Sequence, residues 1–349
     1  MALPAPLDRL GPVLVAPMAG GPSTPRLVAG AARAGAFAQL AGGYLAPEAL
    51  ARQIAAVRAE GARAFGVNLF VPQPHPISRA AYDAYAARIA DDARAATDAA
   101  PPPLREDDDA WDDKLALVVA EQVPVVSCTF GLPDPHDLGL LRGAGIAVLQ
   151  TVTGVDEAIV AEAAGVDALV VQGAAAGGHS GVWAQGALPP AVPLGELVAE
   201  VRAATRLPIV AAGGVVRREQ VRALLAAGAE AVQVGTAVLL ADEAGTAAAH
   251  RAALVDPSFD RTALTRAFTG RPARALVNGF VARHDAAAPS GYPALHHLTR
   301  PMRQAAAAAG DLERLHLWAG EGWRESRAAP VAAILAALAP DGDEPGARD

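Results

Sequence analysis

The stretch QGAAAGGHSG, residues 172 to 181, follows an apolar run and sets one ionisable side chain, His179, among four glycines and three alanines. Residues without bulk let backbone approach a large flat group, and imidazole titrates near neutrality, so its ring can bind or move a proton beside whatever the glycines admit. Two other stretches, AAGG ending at Gly214 and QVGT from Gln233 to Thr236, also close apolar runs. Amide N–H groups freed at such turns, ahead of a helix N-terminus, offer donors and a positive dipole to a phosphate. Neither a GxGxxG fingerprint nor a GxxxxGK[ST] loop occurs in the chain. That leaves a mononucleotide such as FMN, or a sugar phosphate, as the phosphate-bearing ligand.

These groups need a scaffold that brings strand ends together. Short β-prone runs alternate with Ala-rich segments of helical period: VLVAPM from Val13, AFAQLA from Ala36, AFGVNLF from Ala64, VPVVSCTF from Val123, IAVLQTV from Ile146, DALVVQG from Asp167, LPIVAAG from Leu207 and EAVQVG from Glu230. Alternation of this kind marks βα units around a parallel sheet, and eight runs are what a closed barrel requires. The intervening segments stop at Gly35, Gly165 and Gly228, where the chain must turn back toward the next strand. The expected fold is an α/β (β/α)8 TIM barrel with a C-terminal helical extension and an insertion after the third strand. Its expected division is a barrel over 1–252 with the insertion at about 96–122, an extension over 253–340 packed on the barrel, and a disordered tail over 341–349. Active sites of such barrels lie at the C-terminal strand ends, where the glycine-bearing stretches fall.

Composition narrows the partners. The chain has 349 residues, 52% of them hydrophobic, with a formal net charge of −8. An acidic balance without a basic stripe argues against nucleic acid. Cys128 is the only cysteine, so an internal disulfide and a clustered-cysteine zinc site are excluded, and Lys114 is the only lysine, which removes a lysine-dependent phosphate loop. With no membrane-length apolar run and no basic-plus-apolar leader, the expectation is a cytoplasmic protein away from membranes.

Other polar groups carry less. Cys128, late in a buried strand and without a nearby base, reads as a packed thiol. His296 and His297 lack a carboxylate at metal-ligand spacing and read as loop lining or surface, so no metal is expected. The run EDDDAWDD reads as a solvated helix start.

PMAGGPSTPRLVAGAARAG, FGVNLF, QGAAAGGHSG, LPIVAAGGV and QVGTAVLL, in that order, resemble the nitronate monooxygenases, and SGYPALHHLTRPMR and LHLWAGEGW resemble their bacterial class I branch. The resemblance spans about Gly11 to Leu335. It implies a TIM barrel holding FMN without a covalent bond and oxidising small anionic nitronates with O2 to a carbonyl compound and nitrite. By matching motifs, Met18, Gly20, Asn68 and Gln172 would contact the flavin, and Gly177, Gly214, Gln233, Val234, Gly235 and Thr236 would hold its phosphate. His179 would be the catalytic residue and, with Tyr292, would face the substrate; a homodimer is possible in such a family. The chain departs from the pattern at Ala175–Ala176, where Glu-Ala is usual, and at Thr129, where many members carry histidine.

With no second base in these motifs, His179 is expected to orient and partly neutralise a preformed nitronate rather than abstract a proton. Two rival readings are an NADH-dependent flavin reductase on the same scaffold, of the enoyl-acyl carrier protein or quinone reductase type, and a non-catalytic flavin-binding protein.

Overall fold

The structure is a computed structural model that describes residues 2–72 and 76–340. Its strands are β1 (Val13–Val15), β2 (Gln39–Ala41), β3 (Gly66–Phe70), β4 (Val125–Thr129), β5 (Ala147–Val152), β6 (Ala168–Gln172), β7 (Gly178–His179), β8 (Ile209–Ala212), β9 (Ala231–Val234), β10 (Thr262–Thr265) and β11 (Ala273–Leu276). Each apolar run supplies one strand of an eight-stranded parallel sheet, ordered β1-β9-β8-β6-β5-β4-β3-β2. A bridge from Val15 to Ala38 brings its two edges together into the expected barrel.

Side chains along a strand alternate between lumen and helix layer. Val126, Cys128, Leu169, Val171 and Val232 therefore join the core under the helices. Val125, Leu149, Ala168 and Ala231 instead fill the lower lumen with Leu14, Phe37 and Leu7, the last from the turn ahead of β1. Further along the same faces of their strands, Ser127, Gln172 and Gln233 border an open space at the C-terminal rim. The helices around the sheet start and stop as their sequences dictate. Over Pro25–Arg33, the Thr24 hydroxyl accepts from the Leu27 amide, proline takes the first position, and Gly35 at φ +73° ends the turn.

After β3 the chain leaves the barrel through helices Arg79–Arg88 and Ala90–Ala96. Their Tyr82, Tyr85 and Ile89 bury against Phe268, Leu295 and Met302 in a second core. The helix Trp111–Ala120 then rejoins the ring, with Trp111, Leu115 and Val118 in the main core. The extension carries strands as well as helices. β10 and β11 are antiparallel, and β11 pairs with β7 so that Ala273 stands opposite His179 and Arg274 opposite Gly178. The last helix, Val331–Leu338, returns to the barrel, where Val331 leaves room only for glycine at position 30. The tail expected to be disordered lies outside the described residues. No helix among those residues is long and apolar enough to cross a membrane.

Candidate active site

A cavity of about 630 Å³ opens among the C-terminal strand ends, large enough for a mononucleotide with a small substrate beside it. Met18, Gly20, Asn68, Gln172, Gly177, His179, Gly214, Gln233, Val234, Gly235 and Thr236 all border it. Tyr292 does not. It is 5% exposed, and its ring packs on Phe130 and His179 at 5.4 and 5.8 Å between centroids. Among the described residues no aspartate or glutamate lines the cavity, although the chain has 37 of them, whereas Arg300 and Arg303 do.

The rim glycines serve different needs. Gly214 has φ +71°, a left-handed conformation that disfavours a side chain, and a Cβ there would also meet the Ala175 methyl at 2.9 Å. The amides of Gly214, Gly235 and Thr236 make no backbone hydrogen bond among the described residues, so this rim holds unspent donors. Gly177 is required by the protein itself: a Cβ would lie 2.5 Å from the Gly320 nitrogen and 2.7 Å from the Ala319 carbonyl carbon. On the β1 side, Met18 donates its amide to Ser23 Oγ at 2.8 Å, and Gly20 follows at φ +86°.

The polar strand-end residues are fixed by their neighbours. Asn68 Nδ2 donates to Ser127 O, Ser127 Oγ and Thr129 Oγ1 at 3.1, 2.8 and 3.0 Å, which leaves its carbonyl oxygen for a ligand. Thr129 is part of this network, and its hydroxyl also meets Thr151 Oγ1 at 3.2 Å. Gln172 spends both ends of its amide on the loop that carries His179: Nε2 donates to the His179 carbonyl at 3.3 Å and Oε1 accepts from the Gly181 amide at 2.6 Å. It is a strut for the histidine loop. Gln233 Oε1 accepts from Gln39 at 3.3 Å, leaving its amino group.

His179 borders the cavity yet lies deep in the fold. Its ring is wedged among Phe130, Tyr292 and Trp318, with Trp318 at 5.3 Å. Nε2 lies 2.9 Å from Thr269 Oγ1. Burial first, then the charges of Arg271 and Arg303, push its pKa down to about 3, so the ring is neutral near pH 7. Of the two forms open to the ring from sequence, imidazolium or imidazole, this environment favours the neutral one. The positive charge comes instead from the helix Ala294–Ala309, which sequence spacing did not link to the barrel rim.

Arg303, 5% exposed, donates Nη2 to the His296 carbonyl at 2.9 Å and Nε to Thr299 Oγ1 at 3.0 Å. It also lies 3.3 Å from His296 Nδ1 and 3.4 Å from His316 Nε2. Because guanidinium can only donate, both imidazoles accept through those atoms and keep their protons on His296 Nε2 and His316 Nδ1. His316 Nδ1 is buried without a partner. One wall is therefore a group of donors around a buried cation, a setting for an anionic ligand.

Residues 6–341 match the family described as nitronate monooxygenase. A probable nitronate monooxygenase of Staphylococcus aureus (strain Newman) is 33% identical over 328 residues, covering 93% of this chain and 92% of the relative. A crystal structure of nitroalkane oxidase from Streptomyces ansochromogenes matches with a TM-score of 0.90 and 44% identity, covering 95% of each chain. FabK from Thermotoga maritima matches with a TM-score of 0.74 and 26% identity, over 95% of this chain and 92% of that one. Agreement of family, relatives and barrel over nearly the whole length makes this chain a member of the nitronate monooxygenase family of oxidoreductases.

Proposed function

We propose that the chain binds FMN in the rim cavity and uses O2 to oxidise alkyl nitronates, such as propionate 3-nitronate, to a carbonyl compound and nitrite. The observation that carries this reading is the charge pattern of the cavity: unspent amides at Gly214, Gly235 and Thr236, two arginines, and no carboxylate among the described lining residues of an acidic protein. A phosphate fits the amides, whose N–H dipoles cost nothing to reorganise. Asn68 and Gln233 would hold the polar edge of the ring system, with Met18 and Gly20 against it. Bound FMN would take electrons from the substrate and pass them to O2. The protein's own part is positional. Arg303 and the donors around it hold the negative nitro oxygens, and neutral His179 accepts a proton when the substrate arrives as a nitroalkane. The 44% identical relative is itself named a nitroalkane oxidase, which supports that extension.

The test is anaerobic titration of the purified protein, with the cofactor released by heat and identified by mass. FMN that is bleached by ethyl nitronate and not by NADH supports the proposal. Bleaching by NADH alone assigns a reductase, and no bleaching by either assigns a binding protein.

A further inference from the structure

In the turn between β10 and β11, the Thr269 side chain meets the ring of His179. Thr269 is 1% exposed, and its hydroxyl lies 2.9 Å from His179 Nε2 and 3.3 Å from the Arg271 carbonyl, while the Arg271 amide points at it from 3.4 Å. A hydroxyl has one proton and two lone pairs. If that proton went to His179, the approach to the Arg271 carbonyl would set two oxygen lone pairs against each other in a buried place. Only one arrangement makes all three contacts hydrogen bonds: Thr269 donates to the Arg271 carbonyl and accepts from both the Arg271 amide and the His179 Nε2–H. His179 Nδ1 makes no hydrogen bond among the described residues and is not sealed from the cavity that its ring borders.

We propose that Thr269 is a positioning residue that holds His179 as the Nε2–H tautomer and so presents a bare Nδ1 lone pair to the substrate. This rests on the reading that His179 acts on the substrate. The same hairpin fixes the backbone, since Ala273 pairs with His179, so one element sets both the place of the ring and the nitrogen that carries its proton. With a neutral nitroalkane, the C–H bond next to the nitro group breaks, its proton forms an N–H bond at Nδ1, and its electron pair becomes the C=N bond of the nitronate. The charge then rests on the nitro oxygens, beside the donors of the Arg303 wall. The new anion is also the countercharge that stabilises the imidazolium, which burial and two arginines otherwise oppose.

The test uses flavin-loaded protein labelled with 15N-histidine, the His179 signals being those lost in His179→Asn. The wild type should show Nδ1 as the unprotonated nitrogen. Thr269→Ser should keep that signature, and Thr269→Val should show a mixture of tautomers. With nitroethane, kcat should fall about tenfold in Thr269→Val and recover in Thr269→Ser, with KM and flavin content unchanged, as loss of one orienting hydrogen bond implies. A protonated Nδ1 in the wild type overturns the proposal, and that spectrum decides the matter even if Thr269→Val does not fold. Wild-type signature and rate in Thr269→Val overturn it as well. The proposed tautomer together with undiminished turnover in His179→Asn would overturn the functional reading while leaving the tautomer assignment standing.

Discussion

The backbone amide of Tyr44 donates to Asp109 Oδ1 at 3.0 Å, and this contact ties the cavity wall to the loop ahead of the helix Trp111–Ala120. Tyr44 stands at φ +67°, unusual for a bulky residue, and its ring stacks on His296 with centroids 4.1 Å apart. Asp109 is in turn held by Lys114, the one lysine of the chain, at 2.7 Å with the lysine side chain 2% exposed.

Removing one partner of this pair strands the other charge in the interior. Asp109→Ala should lower stability by about 3–5 kcal/mol and raise KM, because Tyr44 loses its anchor. The double variant Asp109→Leu with Lys114→Met should recover most of the stability and none of the KM. Denaturant unfolding beside steady-state kinetics checks both, and recovery of KM in the double variant would show that Tyr44 is held by other means.

At the phosphate rim, Gly214→Asp should release flavin. A carboxylate about 4 Å from a phosphate costs on the order of 4 kcal/mol at an intermediate dielectric, roughly a thousandfold in affinity. Gly214→Asn carries the same bulk and the same strained φ without the charge, so it should retain clearly more flavin. Equal retention in the two variants would place the phosphate elsewhere.

Gly177→Ala separates packing from cofactor binding. Its new methyl would strike the backbone of Ala319 and Gly320, so about 1–3 kcal/mol of stability should be lost in flavin-loaded and flavin-stripped protein alike. A loss confined to the loaded form, seen in parallel thermal melts, would mean that the glycine is there for the ligand.

The buried histidines set an acid limit. Burial pushes His250 down to about 4 and, with the arginines, His179 to about 3; burial and Arg303 hold His296 and His316 well below the usual range. Below about pH 6.5 the unfolded chain takes up protons that the folded chain refuses, so stability must fall as pH falls. Each histidine contributes up to roughly 1.4 kcal/mol per pH unit, down to its folded pKa. Urea midpoints should drop steadily between about pH 6.5 and pH 4, and His250→Phe should remove about one proton from the slope. A flat profile across that window would contradict the buried, neutral state.

The barrel could be read from the chain because its signals are local: alternation over a few residues and a glycine at each return turn. The cavity glycines and His179 were readable for the same reason, and so was Cys128, now fully buried with its thiol pushed up to about 12 by desolvation. Thr269, Arg303 and His316 were not, since they reach His179 or the rim from 57 or more residues beyond Ala212, and nothing in their spacing points there. His296 and His297 look alike in sequence but take different sides of one helix, His296 on Tyr44 and His297 2.9 Å from Asp107. The acidic run, expected to be solvated, is partly consumed by these contacts. Its Asp109 found a lysine only after folding placed one turn of helix beside it.

The central claim is that the cavity oxidises nitronates, and the most direct measurement is nitrite and carbonyl product formed from ethyl nitronate, set against oxygen consumed by the FMN-loaded protein. The account predicts oxygen-dependent formation of both products, a severalfold slower rate in Arg303→Met at unchanged flavin content, and no dependence on NADH. Absence of nitrite from a protein fully loaded with FMN, while NADH drives reduction of another acceptor, would contradict it.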